Sequence, residues 1–165
     1  MYRYFSRFPK LAVNDASLTD ITRRIILSRV SKEMIVAYEK HQILDGETPE
    51  LIAANYYGDP GYHWLILIAN DIINPFFDWP LTQNELLDFV TAKYTDPNAV
   101  HHYVASSFST DLPQGTIVDE NYPQKQGITN FEYEEALNET RREIRVIKKE
   151  FLTGLVNEFE QKIAE

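Results

Sequence analysis

Cysteine is absent from this chain and glycine is scarce. The 165 residues include no Cys and only 6 Gly. Without thiols there is no disulfide framework, no cysteine nucleophile and no thiolate metal site. The few glycines do not form a phosphate-binding loop. The absence of Cys is consistent with a chain made in a reducing cytoplasm.

Long hydrophobic runs are also missing. The longest one, WLILIA at residues 64–69, is far too short to cross a bilayer. Residues 1–17 have neither a continuous apolar core nor a small-residue cleavage pattern, so we do not expect a signal peptide. The sequence therefore predicts no membrane insertion.

Basic residues are also few compared with acidic residues. The chain has 16 Lys and Arg against 25 Asp and Glu, which gives a formal net charge of −9. An acidic chain gains nothing from counterion release at phosphates, which argues against binding nucleic acid. Basic residues cluster only at Arg23–Arg24 and within residues 141–149. Such runs commonly form a solvated helix face, and they can also meet an acidic partner.

Apolar residues are plentiful. They make up 44% of the chain, enough to build a core, so the composition is that of a folded protein. The length favours one domain, or one small domain with extensions. Residues 18–30 match neither a helix nor a strand well, and we interpret them as extended.

Residues 33–44, EMIVAYEKHQIL, are rich in β-branched and aromatic side chains and predict a strand. Thr48 is a predicted helix cap before Pro49, and this helix should stop at Gly58. A second, buried helix is predicted over residues 60–69. Prolines interrupt residues 70–80, which we interpret as a short extended return.

Two capping boxes mark later helix starts, one at Thr82 with Glu85 and one at Thr129. The first predicts a helix over 82–94. Residues 95–129 are interpreted as irregular, with HHYVASSF and GTIVDE as short strands that can pair. The second predicts one long charged helix running to near the C-terminus. The fold class is thus α+β.

Apolar residues of this last helix recur at spacings of three, four or seven, the pattern of a stripe that packs along a partner. The predicted partner interface consists of Arg141, Ile144, Arg145, Ile147, Phe151, Leu155 and Phe159. The predicted organisation is an N-terminal extension (1–33), a compact module (34–81), a helix (82–94), an irregular segment (95–129) and a C-terminal helical arm (130–165).

The chain offers no catalytic set. Its histidines are His41, His63, His101 and His102, and no His-x-x-x-His spacing is present. Adjacent histidines on a strand point to opposite faces, so His101 and His102 should not share a metal. No carboxylate pair or nucleophile stands out. We therefore predict no catalytic residue, no cofactor and no metal site.

The stretch from Asp45 to Asn70 resembles a LysM module, a carbohydrate-binding βααβ fold. The resemblance rests on DGET, IA, YYGDP, Trp64 and the final IAN. Narrower marks resemble the LysM-like segment of a baseplate wedge protein of contractile-tailed bacteriophages. They are Thr48-Pro49-Glu50, Tyr57-Gly58-Asp59, His63-Trp64, Asn74-Pro75 and Asp78-Trp79-Pro80. Residues 20–24 and 128–151 are also similar to that family.

This resemblance implies a structural, non-enzymatic part of a virion that clamps neighbouring baseplate wedges. The implied partners are other wedge and inner-ring tail proteins, in multiple copies of a symmetric assembly. It would act in the tail baseplate, after assembly in the host cytoplasm. We hypothesise that the βααβ module is a rigid core, while residues 95–130 and the terminal helix clamp. Removal of Asn138 onward should then leave the module folded.

Two alternatives remain open from the sequence. One is a peptidoglycan-binding or chitin-binding LysM module of a tail-associated cell-wall protein. Its groove would be lined by Glu47, Thr48, Asn70, Ile72 and Ile73. The other is a wall hydrolase, for which the chain offers no candidate acid or nucleophile. We interpret Trp64 as a core residue rather than a sugar platform, because its helix is apolar nearly all round.

Overall fold

The computed structural model describes residues 4–22 and 37–164, which form an α+β fold and confirm the predicted class. The chain divides into two compact units. Met1–Trp79 and Glu143–Glu165 form the first unit, and Pro80–Arg142 form the second. The Arg23–Arg24 cluster, most of the predicted extended segment 18–30 and the start of the predicted strand 33–44 lie outside the described residues.

The first unit begins with a 3-10 helix, Tyr4–Arg7, and a hairpin that sequence analysis did not resolve. Strand β1, Lys10–Val13, pairs antiparallel with β2, Ala16–Thr19. Asn14 and Asp15 form the turn between them, with φ of 46° and 63°. Positive φ at both central residues matches the right-handed twist of a hairpin, and Asn and Asp tolerate it best after glycine.

Strand β3, Tyr38–Gln42, leads into helix α1, Pro49–Tyr57. The predicted caps are confirmed, because the Thr48 side chain accepts from the Leu51 N–H and Gly58 ends the helix at φ 85°. A 3-10 turn, Pro60–Tyr62, opens helix α2, His63–Ala69.

The predicted extended return at 70–80 is wrong. Asn74 caps a short helix there, α3, Pro75–Asp78. Proline suits the first position of a helix, so Pro75 starts an element rather than breaking one.

The second unit begins with helix α4, Gln83–Lys93, and the capping box between Thr82 and Glu85 is confirmed. Three short strands follow: β4, Val100–Ala105; β5, Ile117–Val118; and β6, Lys125–Thr129. They form an antiparallel sheet in the order β5-β4-β6. The predicted pairing of the first two strands is confirmed, whereas β6 was missed. Helix α5, Asn130–Thr140, starts at the second predicted capping box.

The chain then returns to the first unit through strand β7, Glu143–Ile147, and helix α6, Lys149–Ala164. Strand β7 pairs antiparallel with β3, with Tyr38 opposite Ile147 and Gln42 opposite Glu143. A long C-terminal helix is therefore present, but the predicted unbroken helix from Thr129 is wrong.

The sequence signal that was missed is the alternation of charged and apolar residues along β7. Ile144 and Val146 are buried, whereas Glu143 and Arg145 are exposed, which is the period of two expected of a strand. Elements β3, α1, α2 and β7 thus follow one another in βααβ order, with the second unit inserted before the last strand.

Two hydrophobic clusters form the core of the first unit. Helix α6 packs the larger one against α2 and the N-terminal segment: Phe8, Trp64, Leu65, Ala69, Ile147, Leu155, Phe159 and Ile163. Strand β7 completes the other with α1 and α2: Ile43, Ile52, Ala53, Ile66, Ile144 and Val146. Segments about 100 residues apart in sequence therefore build one core.

Candidate functional site

The polar members of the predicted glycan groove are engaged within the fold. Asn70 follows the last residue of α2 and its side chain binds the backbone of β7. Its Nδ2 donates to the carbonyls of Ile66 and Arg145, each at 2.8 Å, and its Oδ1 accepts from the Arg145 N–H at 2.8 Å. Both N–H groups of the Asn70 side chain thus bind backbone carbonyls of the protein and join α2 to β7.

Glu47 is the second such residue. Its Oε2 lies 2.8 Å from His41 Nε2 and accepts from the Leu44 N–H at 3.1 Å. Its carbonyl accepts from Trp79 Nε1 at 2.8 Å. Thr48 is exposed but caps α1. The geometry assigns these polar groups to holding the turn before α1.

The two apolar members differ from each other. Ile72 is half-buried, whereas Ile73 is 82% exposed. Phe76, on α3, is 90% exposed, and Phe77 beside it is also exposed. Sequence analysis missed Phe76. The available signal was a pair of phenylalanines between two prolines, outside any periodic pattern that would bury them.

The Phe76 segment is tightly held. Asn74 Oδ1 accepts from the Phe76 N–H at 3.2 Å, and the Asn74 N–H donates to Asp78 Oδ2 at 3.0 Å. The Trp79 ring packs on the second core cluster while its Nε1 binds the Glu47 carbonyl. We call Ile73 and Phe76 the apolar tip.

The predicted C-terminal partner stripe is mostly internal. Ile144, Ile147, Leu155 and Phe159 are buried in the two clusters of the first unit. Phe151 is partly buried and packs against the larger cluster. The stripe is therefore the inner face of β7 and α6 and not an uncovered surface. Of the predicted set, only Arg141 and Arg145 are exposed.

His101 and His102 do not point to opposite faces as expected. A bulge interrupts the pairing of β4 with β6 between Val100 and His102. An extra residue in one strand breaks the alternation of side chains. The two Nδ1 atoms consequently lie 2.9 Å apart, and the His101 ring stacks on Tyr133 with centroids 3.9 Å apart.

Among the described residues, no group of three or more His, Cys, Asp or Glu is placed to hold a metal ion. The same residues contain no helix with the length and apolar character needed to span a membrane. What the described geometry offers is exposed apolar side chains on well-held backbone, which is typical of a protein–protein contact.

A family of proteins that assemble with other proteins matches this sequence. The family described as base plate wedge protein 53 matches residues 4–110. The chain belongs to this family. No curated protein matches the sequence.

The match makes the chain a structural component of a bacteriophage tail baseplate, associated with other baseplate proteins. It covers the apolar tip and the first part of the inserted unit, through β4. It stops before β7 and α6, the elements that complete the core of the first unit. In this wedge protein, residues outside the match therefore complete the core of the matched region.

A buried carboxylate holds the inserted unit of the wedge protein together. The Glu134 side chain on α5 is 7% exposed, and its Oε1 accepts from Lys93 Nζ and from the Tyr94 hydroxyl, both at 2.7 Å. Burial raises the pKa of Glu134, but the hydrogen bonds from Lys93 and Tyr94 and the nearby charges of Lys93 and His101 outweigh it. The pKa is therefore below its ordinary value near 4.5.

We expect acid to weaken the α4–α5 contact through this carboxylate. Because its pKa is lower in the folded protein, Glu134 contributes full stability above its ordinary pKa and loses it as the pH falls through the lowered value. The protection of the α5 amides against hydrogen exchange, corrected for the intrinsic exchange rate at each pH, should fall as the pH drops below about 4.5. Glu134→Gln should flatten this dependence, and Glu135→Gln on the next residue should not. Equal slopes for the three proteins would contradict the assignment.

The ends of the inserted unit are joined by a second asparagine. Asn138 Oδ1 accepts from the Leu81 N–H at 2.8 Å, and its Nδ2 donates to the Leu81 carbonyl at 2.9 Å. Buried Arg142 also donates to that carbonyl and binds Glu139 at 2.6 Å. The unit is thus closed at the point where the chain enters and leaves it.

Proposed function

We propose that this wedge protein is a connector that joins neighbouring wedges of the baseplate. It would act in several copies of a symmetric assembly, added in the host cytoplasm. A connector needs at least two contact surfaces, each on backbone that keeps its shape without the partner.

The observation that carries the proposal is the distribution of exposed apolar side chains. The first unit exposes Ile73 and Phe76, at 82% and 90%. The inserted unit exposes Phe108 and Ile117, at 83% and 74%. These side chains belong to neither hydrophobic cluster and are exposed on both units, so each unit offers an apolar anchor for a partner protein.

The first unit would be a LysM-like scaffold reused for assembly. Its βααβ order supports this interpretation. The internal hydrogen bonds of Asn70 and Glu47 favour a protein contact over sugar binding, because the donors of Asn70 already bind the backbone of the chain. Clamping would then come from exposed surface rather than from the α6 stripe.

The test uses wedges purified from cells infected with a phage that lacks this protein. Added wild-type protein should convert single wedges into joined assemblies, seen by sedimentation velocity and electron microscopy. Phe108→Ser/Ile117→Ser should still bind one wedge but should join far fewer. Gln114→Ser, an exposed polar position between them in sequence, is the matched control and should join wedges normally.

Two results would overturn the proposal. One is wild-type protein that leaves all wedges separate. The other is wild-type protein that sediments with insoluble peptidoglycan and does not bind wedges, which would favour the sugar-binding alternative. Sedimentation with peptidoglycan is therefore measured beside wedge joining.

A further inference from the structure

We infer that the apolar tip inserts into an apolar socket of another wedge protein whose border is rich in Lys and Arg. This inference rests on the connector proposal and specifies the chemistry of one of its contacts. Three features of the first unit support it: the exposure of the tip, the hydrogen bonds that hold its backbone, and the charge of the chain around it.

The tip exposes two large apolar side chains three residues apart. Phe76 and Ile73 are among the most exposed large apolar side chains of the described residues. A single aromatic group that leaves solvent for a fitted pocket commonly dominates the affinity of a protein contact. A concave apolar pocket on the partner would bury these side chains most completely.

The tip is also pre-organised. Pro75 occupies the first position of α3, Asn74 caps it, and the Asn74 N–H binds the carboxylate of Asp78. Trp79 then fastens the segment to the turn before α1 through the Glu47 carbonyl. A side chain whose backbone is already held in place loses little conformational entropy on binding. Most of the free energy gained by burying it therefore contributes to affinity.

The chain around the tip is acidic over an unusual length. Residues 41–92 contain no Lys or Arg, and the part of this stretch in the first unit, residues 41–79, contains six Asp and Glu. Asp78 lies two residues from Phe76, and exposed Glu50 lies in the first turn of α1, beside the turn that Trp79 binds.

Three basic side chains of the first unit that lie outside this stretch contact aromatic or acidic groups, and one of them, Lys149, has its Nζ 5.5 Å from the centroid of the Tyr56 ring on α1. Lys40 binds Glu143, with Nζ 2.8 Å from its Oε1, and the Arg145 guanidinium lies over the Tyr38 ring. His41 is bound to Glu47. A partner with Lys and Arg around its socket would complement this surface and would be steered toward it.

The same charge argues against other occupants. A second copy would present the same acidic stretch and would be repelled at close range. An anionic bilayer attracts basic segments, and this one is acidic. The occupant that fits is therefore a different protein with a basic border, which the family places among the baseplate proteins.

The experiment measures binding to single wedges in the Phe108→Ser/Ile117→Ser background, where the tip is the remaining proposed contact. Adding Ile73→Ser/Phe76→Ser should weaken binding at least about 30-fold. The melting temperature of the first unit, followed by Trp fluorescence, should not change. Both tryptophans, Trp64 and Trp79, lie in that unit. Glu50→Lys should slow association most strongly at low salt, whereas Glu150→Lys, at the first turn of α6, should have a smaller effect.

Photo-cross-linking identifies the partner protein that carries the socket. A photo-reactive phenylalanine analogue placed at position 76 of the full chain should cross-link to one wedge protein, at a site bordered by Lys and Arg. The analogue at position 108 should link to a different site. Cross-links to a second copy, to a surface without basic residues, or to lipid in vesicles containing phosphatidylserine would overturn the inference.

Failure of the inference is distinguishable from failure of the connector proposal. If wild-type protein does not bind wedges at all, the connector proposal fails. If wild-type protein joins wedges but the added tip substitutions change nothing, the tip inference alone fails. A background variant without wedge affinity would contradict both, because the connector proposal expects that variant to bind one wedge.

Discussion

A chain that ends at Leu137 is expected to lose the fold of the first unit. The missing residues supply β7, the only strand that pairs with β3 among the described residues, and α6. They also supply six side chains of the two core clusters: Ile144, Val146, Ile147, Leu155, Phe159 and Ile163. Each fully buried aliphatic or aromatic side chain contributes roughly 1.5–3 kcal/mol, so their sum is about as large as the whole free energy of unfolding of an ordinary domain.

The measurement is thermal unfolding followed by Trp fluorescence and near-ultraviolet circular dichroism. The truncated chain should show no cooperative transition and solvent-exposed tryptophan emission, whereas the full chain should show both a transition and buried emission. A cooperative transition with protected Trp64 in the truncated chain would contradict the expectation. This outcome would instead support the earlier hypothesis that residues before Asn138 form a self-sufficient module.

Phe159→Ala is expected to lower the free energy of unfolding of the first unit by about 3–5 kcal/mol. The Phe159 side chain is fully buried, and its ring lies 4.3 Å from Trp64 and 5.1 Å from Tyr4 between centroids. Substitution removes the buried ring and leaves a cavity lined by three aromatic groups, including Phe8. Because the neighbours are themselves packed, the cavity can close only in part.

Urea denaturation followed by Trp fluorescence measures this loss. Phe159→Leu should recover part of it, since most of the volume returns. Phe76→Ala is the matched control, because it removes the same ring from a position that is 90% exposed, and should change the stability by less than about 0.5 kcal/mol. A loss below about 1 kcal/mol for Phe159→Ala would mean that α6 does not anchor the core as the contacts indicate.

Several elements of this protein could be predicted from sequence because their cause is local. Thr48 accepts from an N–H three residues away, and Pro49 has no N–H that would need a partner. Thr82 with Glu85 and Thr129 with Glu132 satisfy the N–H groups at the starts of their helices in the same local way. Gly58 ends α1 through its own positive φ. When all the residues that determine a feature lie within a few positions of each other, the sequence alone is enough to predict it.

The prediction for the candidate site was weaker for a physical reason. The apolar stripe of α6 was correctly placed on one face, but periodicity says only that a face is apolar, not what covers it. Its cover comes from Trp64, Tyr4 and Phe8, which lie far away in sequence. Phe76 was overlooked for the converse reason, because exposure follows from where a short helix is fastened.

The sequence by itself determined the α+β class, the starts of the main helices and the acidic character, because propensity, capping and charge belong to individual residues and their near neighbours. Only the tertiary structure decided that residues 143–147 are a strand. Their charged flanks favour a helix locally, but pairing with Tyr38–Gln42, about 100 residues earlier, overrides this preference. That pairing also buries the predicted partner stripe and leaves Ile73 and Phe76 on the surface, because burial depends on contacts between segments that sequence order keeps apart.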